Sequence, residues 1–281
     1  LSLGSEQTNM ALQSAIVHAY NAGALLVAAA GNSYQEGNPV IYPAAHSHVL
    51  AVGATGDADE HAAYSQTGPY VDVTAPGGNP SGPADTNRRH WILGTYWRGS
   101  PHGGNPAVGY MPVAGTSQAS PHVAGLAALL WSVDPGLTHD QIEGILKLTA
   151  IDLGPAGRDD VFGYGRIDAL RALQEVASGQ HRDLGPALPA GAEPFLAPTG
   201  PAEGARFAPG RILVRFRQPA SEETLRMALG AADAAIVGEI AGIGWHVVAV
   251  DAGREWEDIG RLRQSPWVEF AEPDYIMRAI Q

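Results

Sequence analysis

The eleven residues from Gly115 to Gly125 contain the strongest chemical signal in the sequence. Small and polar residues precede Ser117, and an apolar stretch follows it. The pattern predicts that Ser117 lies at a helix N-terminus, where free backbone N–H groups and the helix dipole can stabilise a developing oxyanion. Pro121 is expected in the first turn, where its missing N–H costs little. The alternative is that Thr116 or Ser117 only caps a core helix, because such caps are common.

This segment resembles the nucleophile motif of the subtilisin-like serine proteases over all eleven positions. The resemblance continues in the family's order through residues 28–32, 42–44, 49–53, 71–77 and 162–169. It covers residues 1 to about 178 and implies the C-terminal part of a subtilisin-like catalytic domain. The implied activity is that of a serine endopeptidase, a hydrolase that cuts peptide bonds through an acyl-enzyme at Ser117.

The resemblance also implies roles for six other residues. Asn32 would be catalytic, donating its side-chain amide to the oxyanion. An extended peptide substrate would pair as an added strand with Ser2, Leu3 and Gly4. The pocket for the residue before the scissile bond would be lined by Ala30 and Gly31. Without the resemblance, Asn32 following a glycine would be interpreted as a turn residue.

The sequence departs from the family in the other two members of the catalytic triad. Subtilases place an Asp in a D-[ST]-G motif and a His in an H-G-T motif, both before the serine. Neither an Asp-Ser-Gly nor an Asp-Thr-Gly triplet occurs here, and the single His-Gly pair, at His102, lies in a Gly/Pro-rich insertion. His122 is expected to pack along the helix and His18 to be solvated. We therefore expect the chain to be inactive alone.

Composition excludes several other functions. The net charge of -12 in 281 residues argues against a nucleic-acid partner. The absence of Cys excludes disulfides, thiolate catalysis and Cys-based metal sites. The longest apolar run, residues 22–31, is too short to span a membrane. No metal ligand is predicted: subtilases often bind calcium, but no stretch has the acidic spacing of a dedicated calcium loop.

The elements that must position these residues are those of an α/β fold. Residues 1 to about 178 alternate apolar strands with amphipathic helices, which predicts a parallel sheet flanked by helices on both faces. The predicted helices are 10–21, 117–131, 141–149 and 166–176, and the predicted strands are 24–29, 49–52 and 71–73.

The composition changes twice along the rest of the chain. Residues 179–210 contain 6 Pro, 6 Gly and 7 Ala and are predicted to be a linker. Residues 211–281 show a β-α-β-β-α-β order, typical of a small α+β ferredoxin-like domain. Its predicted strands are 211–217, 235–240, 245–250 and 268–275, and its predicted helices begin at Ser221 and span 255–263.

The first and last of these strands resemble those of a subtilase propeptide, a domain that assists folding and then inhibits the enzyme. We therefore expect residues 209–281 to dock on a subtilisin-like catalytic domain. Their tail would run extended into the cleft and pair with the strand that holds Leu3 and Gly4. Glu269 and Glu272 would cap the N-termini of enzyme helices. The alternative is a generic ferredoxin-like module.

Two explanations of this domain order compete. The chain is either a fragment of a longer protein with tandem proteases, which we favour, or a permuted or split protease. Its first four residues do not resemble a signal peptide and are expected to begin in mid-domain. The resemblance implies secretion or display at the cell surface. The alternative function is non-enzymatic: a pseudoprotease whose C-terminal domain binds and inhibits a partner protease.

Overall fold

The computed structural model describes residues 1–96, 109–179, 205–230, 232 and 234–280. The chain divides into two compact units. The first contains the described residues within Leu1–Gly4, Gly23–Ala192 and Arg278–Gln281, and the second those within Ser5–Ala22 and Glu193–Met277. These units do not follow the sequence segments predicted above, because residues 5–22 group with the C-terminal part and the last residues group with the first unit.

A three-stranded parallel sheet forms the centre of the first unit. Its strands, in spatial order, are β2 (Leu26–Ala29), β3 (Val49–Thr55) and β4 (Val73–Pro76). Every residue of β3 is buried, as expected for a central strand covered on both faces. Two short strands pair separately in the same unit, β1 (Leu3–Gly4) with β11 (Arg278–Ala279).

The described part of this unit also contains three α-helices. They are α2 (Thr116–Val133), α3 (His139–Leu148) and α4 (Ala169–Ser178). Helix α2 packs on all three sheet strands through an apolar stripe that includes Val123 and Leu130, and the core continues into α3 and α4. The α/β class with a parallel sheet is therefore confirmed.

An antiparallel hairpin in the Gly/Pro-rich insertion was not predicted. Its strands are β5 (Ile92–Tyr96) and β6 (Gly109–Val113). The segment has no clean alternation of polar and apolar residues, so its pattern did not indicate strands. His102 lies in this insertion and is outside the described residues.

A buried charge cluster supports the sheet of the first unit. Lys147 Nζ lies 2.8 Å from Asp72 Oδ1 and 2.7 Å from Glu143 Oε1, and the lysine side chain is only 8% exposed. Burial alone would lower the pKa of Lys147, but the two carboxylates raise it above its ordinary value. Asp72 Oδ2 also accepts a hydrogen bond from the backbone N–H of Ala51 in β3. The cluster therefore links α3 to the central strand.

The second unit contains a four-stranded antiparallel sheet of spatial order β10-β7-β9-β8. The strands are β7 (Phe207–Phe216), β8 (Ala235–Ile240), β9 (Trp245–Ala249) and β10 (Val268–Tyr275). Helices α5 (Glu222–Gly230) and α6 (Glu255–Leu262) cover one face. This order and connectivity are those of the ferredoxin-like fold that the pattern predicts.

The other face of this sheet packs against α1 (Met10–Asn21). Trp245 is fully buried there beside Ala11 and Leu213, and its indole N–H donates to Ser14 Oγ at 3.2 Å. Both faces of the sheet are therefore apolar, which explains the unbroken apolar run of residues 212–214 in β7.

Glu272 of β10 caps the N-terminus of α1. Its carboxylate accepts hydrogen bonds from the backbone N–H groups of Met10 at 2.9 Å and Ala11 at 2.7 Å. Asn9 Oδ1 accepts a further one from the Leu12 N–H at 2.8 Å. The first turn of α1 has no acidic residue of its own, so the Glu272 carboxyl supplies the acceptors for the N–H groups at this helix N-terminus. Glu269, predicted to act similarly, pairs instead with an arginine of β7.

Candidate active site

Ser117 occupies the first turn of α2, as the sequence predicts. The helix begins at Thr116 after Gly115, whose backbone lies at φ 151°. A Cβ on Gly115 would lie 2.9 Å from both Asn32 Nδ2 and Gln118 Oε1. Glycine is therefore needed before the helix, because any other side chain would displace Asn32.

A hydrogen-bond network fixes the direction of the Asn32 amide. Asn32 Oδ1 accepts from the Thr116 backbone N–H at 2.9 Å and from the Thr116 hydroxyl at 2.8 Å. Because the backbone group can only donate, the atom that faces it must be the amide oxygen. The Nδ2 donor of Asn32 therefore points away from Thr116, as an oxyanion donor requires.

The loop that carries Asn32 is held from two sides, by Thr116 and Gln66, through contacts that the sequence did not predict. Thr116 Oγ1 accepts from the Gly31 backbone N–H at 3.2 Å. Gln66 is fully buried, its backbone N–H donates to the Gly31 carbonyl at 3.1 Å, and its Oε1 accepts from the Ser33 N–H at 2.8 Å. Gln66 follows a serine in an ordinary polar loop, so nothing in its sequence context pointed to this role.

The expected place of Pro121 is corrected by the structure. Helix α2 starts at Thr116, so Pro121 lies beyond the first turn and cannot donate to the Ser117 carbonyl four residues earlier. The hydroxyl of Ser2 donates to that carbonyl instead, at 3.0 Å. Ser2 thereby contacts the backbone of the candidate nucleophile directly.

The C-terminal tail lies along β1 beside Ser117. The antiparallel register pairs Leu3 with Ala279 and Gly4 with Arg278. The Ile280 N–H donates to the Ser2 carbonyl at 3.1 Å, and Ser117 Oγ donates to the Ile280 carbonyl. The candidate nucleophile therefore faces a peptide carbonyl of an extended strand.

The structure thus brings together Ser117, Asn32, Ser2, Leu3 and Gly4. The remaining two predicted site residues, Ala30 and Gly31, are buried in the loop after β2, and the Ala30 carbonyl accepts from the Tyr70 hydroxyl at 3.3 Å. That hydroxyl is itself buried, which raises the pKa of Tyr70 to about 12.

Of the two histidines whose surroundings were predicted, one differs from the expectation. His122 is exposed and its Nδ1 lies 2.7 Å from the Gln118 carbonyl, so it does not pack in the core as predicted. His18 is exposed on α1, as predicted.

Metal and membrane features were also searched in the part of the chain that the structure describes. There, no group of three or more His, Asp or Glu side chains is arranged to hold a metal ion. None of the helices in these described ranges combines the length and the apolar character needed to cross a membrane.

We expect Thr116→Val to destabilise the first unit by about 1–3 kcal/mol, because the buried Gly31 N–H loses its acceptor and Asn32 Oδ1 loses one donor. Valine keeps the shape of threonine, so little packing is lost. Urea unfolding followed by fluorescence would measure the change. Thr116→Ser, which keeps the hydroxyl, is the matched control and should lose less. Equal stability of the valine variant and the parent would contradict the network.

Family models match two parts of the chain. The subtilase family model matches residues 1–165, and the fervidolysin N-terminal prodomain model matches residues 196–274. These ranges agree with the two resemblances noted in the sequence.

Individual relatives are extracellular proteases and subtilisins. The chain is 41% identical over 167 residues to the minor extracellular protease Epr of Bacillus subtilis, which is 59% of this chain and 22% of that protein. It is 36% identical over 174 residues to subtilisin Savinase of Lederbergia lenta, which is 62% of this chain and 55% of that enzyme. The chain therefore spans about half or less of these curated relatives.

The solved structures that resemble this chain are also proteases. A protease of Pseudoalteromonas arctica PAMC 21717 matches with a TM-score of 0.54 and 36% identity, over 63% of this chain and 50% of that one. A lanthipeptide protease matches with a TM-score of 0.53 and 31% identity, over 62% and 60%.

Proposed function

Since this chain belongs to the subtilase family, we propose that it forms the nucleophile half of a subtilisin-type serine endopeptidase, joined to an inhibitory prodomain. The observation that carries the proposal is the hydrogen bond from Ser117 Oγ to the carbonyl of a strand paired with β1. In this proposal residues 1–178 are the C-terminal part of the catalytic domain, 179–210 the linker and 211–281 the prodomain.

The chemistry assigned to this half is acyl transfer. Ser117 Oγ attacks the carbonyl carbon of a peptide held along Leu3 and Gly4, and the peptide oxygen becomes an oxyanion. The Asn32 Nδ2 donor and the backbone N–H of Ser117, in the first turn of α2, stabilise that charge. The C–N bond then breaks and the amine leaves with the proton taken from Ser117. Water hydrolyses the resulting acyl-enzyme and releases the acid. Ser2 holds the Ser117 carbonyl at 3.0 Å, which fixes the backbone of the nucleophile during both steps.

The proton of Ser117 needs a base that the family's motifs do not identify among these 281 residues. We infer that the Asp and His motifs are provided by a polypeptide segment outside this sequence. The relatives named above include extracellular proteases, which supports secretion of the whole enzyme. The family resemblance allows calcium binding, but we assign no residue of this chain as a calcium ligand.

The prodomain role is supported by two contacts. Glu272 caps α1, a helix within the residues that match the subtilase model, and the tail 278–280 pairs with β1. Residues 211–281, the proposed prodomain, would therefore inhibit by placing their tail where a substrate binds. The non-enzymatic alternative, an inhibitor of a partner protease, uses the same contacts in trans.

A chimera tests the catalytic proposal. A subtilase segment that carries the D-[ST]-G and H-G-T motifs would be fused before Leu1 of a chain that ends at Met277, so that the tail does not occupy the cleft. Hydrolysis of a chromogenic peptide would then be measured. We expect activity that Ser117→Ala reduces by about a million-fold. Ser132→Ala, a change at an exposed serine in the last turn of α2, is the matched control and should retain activity. A well-folded chimera without activity would favour the inhibitor.

A further inference from the structure

A cavity of about 200 Å³ lies between α1 and the antiparallel sheet, within the second unit. It is partly open to solvent, and most of its wall is aliphatic. None of its side chains takes part in the chemistry proposed above. The larger apolar side chains and the alanine that form the wall are Leu12, Ala15, Leu213, Ile240, Ile243 and Met277.

One polar group at this cavity is buried without a partner. Tyr275 lines the cavity and is only 8% exposed. In the part of the chain that the structure describes, its hydroxyl has no hydrogen-bond partner. By contrast, Asn9 Oδ1 accepts from the Leu12 N–H at 2.8 Å, and Asp274 lies 2.8 Å from the Arg211 guanidinium. Buried polar groups are almost always bonded, so the lone hydroxyl indicates a missing partner.

The surroundings of Tyr275 indicate that its hydroxyl is on the side of the sheet that faces α1. Burial raises the pKa of Tyr275, and the nearby carboxyl of Glu272 raises it further. That carboxyl accepts hydrogen bonds from Met10 and Ala11 at the start of α1, and Ala11 also lines the cavity. The unpartnered hydroxyl is therefore positioned to bond a molecule that enters the cavity.

We propose that this cavity binds a small neutral aromatic molecule that carries one hydroxyl or carbonyl group. An apolar cavity of about 150 Å³ can hold benzene. A cavity of about 200 Å³ therefore has room for one ring with a small substituent. The Tyr275 hydroxyl can donate to that substituent or accept from it. A charged ligand is disfavoured, because the aliphatic wall offers its charge no partner.

Such a ligand would contact α1 and the sheet at the same time. The cavity exists only while Leu12 and Ala15 of α1 face Leu213 of β7 and Ile240 of β8. Binding is therefore linked to the packing of α1 on the sheet by mass action. At a ligand concentration ten times the dissociation constant, the opening equilibrium of α1 should fall about tenfold. The inference does not depend on the protease function proposed above.

Benzyl alcohol is a suitable probe, because it combines one ring with one hydroxyl. It would be titrated into the full chain while NMR follows the methyl groups of Leu213, Ile240 and Ile243. We expect saturable shifts with a dissociation constant of about 1 mM, as is reasonable for so few atoms. Hydrogen exchange at the α1 amides should slow about tenfold near saturation. Benzoate, the charged counterpart, should bind at least about tenfold more weakly.

Two variants separate the hydroxyl from the space. Tyr275→Phe removes only the hydroxyl, so benzyl alcohol should bind about 2- to 10-fold more weakly, whereas toluene should bind as it does to the parent. Ala15→Leu fills the cavity and should abolish binding of both, and Ala15→Val serves if the leucine variant does not fold. Gln13→Leu, on α1 but outside the cavity wall, is the matched control and should bind as the parent does.

The measurements can contradict the inference at each step. Methyl shifts that rise in proportion to the alcohol without saturating would show that the cavity holds only water. Equal affinities of Tyr275→Phe and the parent for benzyl alcohol would overturn the role of the hydroxyl. Unchanged binding in Ala15→Leu would place the ligand elsewhere and overturn the site. Thermal unfolding of each variant checks that the fold persists.

Discussion

Prepared alone, the 281-residue chain should hydrolyse peptides about a million-fold more slowly than a complete subtilase, which is the usual cost of losing the catalytic histidine. Ser117 Oγ donates to the tail carbonyl of Ile280, and His122, the histidine nearest to it in sequence, lies against Gln118. The residual rate would come from oxyanion stabilisation and substrate binding. It would exceed the uncatalysed rate in water by about 1,000- to 10,000-fold.

A chromogenic peptide assay of the purified chain would measure this residual rate, with Ser117→Ala as the background. Because the tail also occupies the cleft, a variant ending at Met277 is needed to show that an occupied site is not the cause of the low rate. Efficient turnover that disappears in Ser117→Ala would contradict the expectation. It would place a histidine of this chain in the role of the base, and His102→Ala would be the first variant to make.

The second unit should become less stable as the pH rises from about 4.5 to about 7. Glu272 is 1% exposed, and burial raises the pKa of its carboxyl to about 7, against the lowering effect of hydrogen bonds from Met10 and Ala11. The folded state therefore binds a proton more tightly than the unfolded state does. Stability is greatest below the unfolded pKa and is lost as the pH passes the folded pKa, by about 3 kcal/mol at most.

Chemical unfolding at a series of pH values would measure this dependence, followed by the fluorescence of Trp245 and the other tryptophans. Glu272→Gln removes the titrating group at nearly the same size, although its amide can satisfy only one of the two N–H donors. The difference in unfolding free energy between parent and variant isolates Glu272 from other titrating groups. A difference that does not change between pH 5 and pH 8 would show that the buried carboxyl does not titrate there.

The elements that the sequence predicted best are those whose residue types have a clear local preference. Helix α1 and strands β8 and β10 have the predicted bounds: α1 repeats apolar residues at helical spacing, and the two strands are marked by β-branched or aromatic residues. The hairpin β5–β6 was missed because its stability comes from cross-strand pairing, which a single strand's pattern does not contain.

The candidate site was predictable only in part. Ser117, Thr116 and Asn32 belong to recognisable motifs, but the sequence did not show that Thr116 and Gln66 satisfy buried backbone groups of a loop distant from them in sequence. Such partners depend on where the backbone passes, so residue type alone does not identify them. The Ser117 carbonyl likewise accepts its hydrogen bond from Ser2 and not from the helix. This follows from the observed start of α2, five residues before Pro121.

Lys147, held between two carboxylates in the first unit, is the only lysine in the sequence. A protease that cuts only after lysine would therefore have a single target bond in the whole chain. That bond lies in α3 and its lysine is 8% exposed, so cleavage requires the helix to open. The rate at which two fragments appear on a gel would therefore measure how often this part of the first unit opens. The measurement needs no engineered probe.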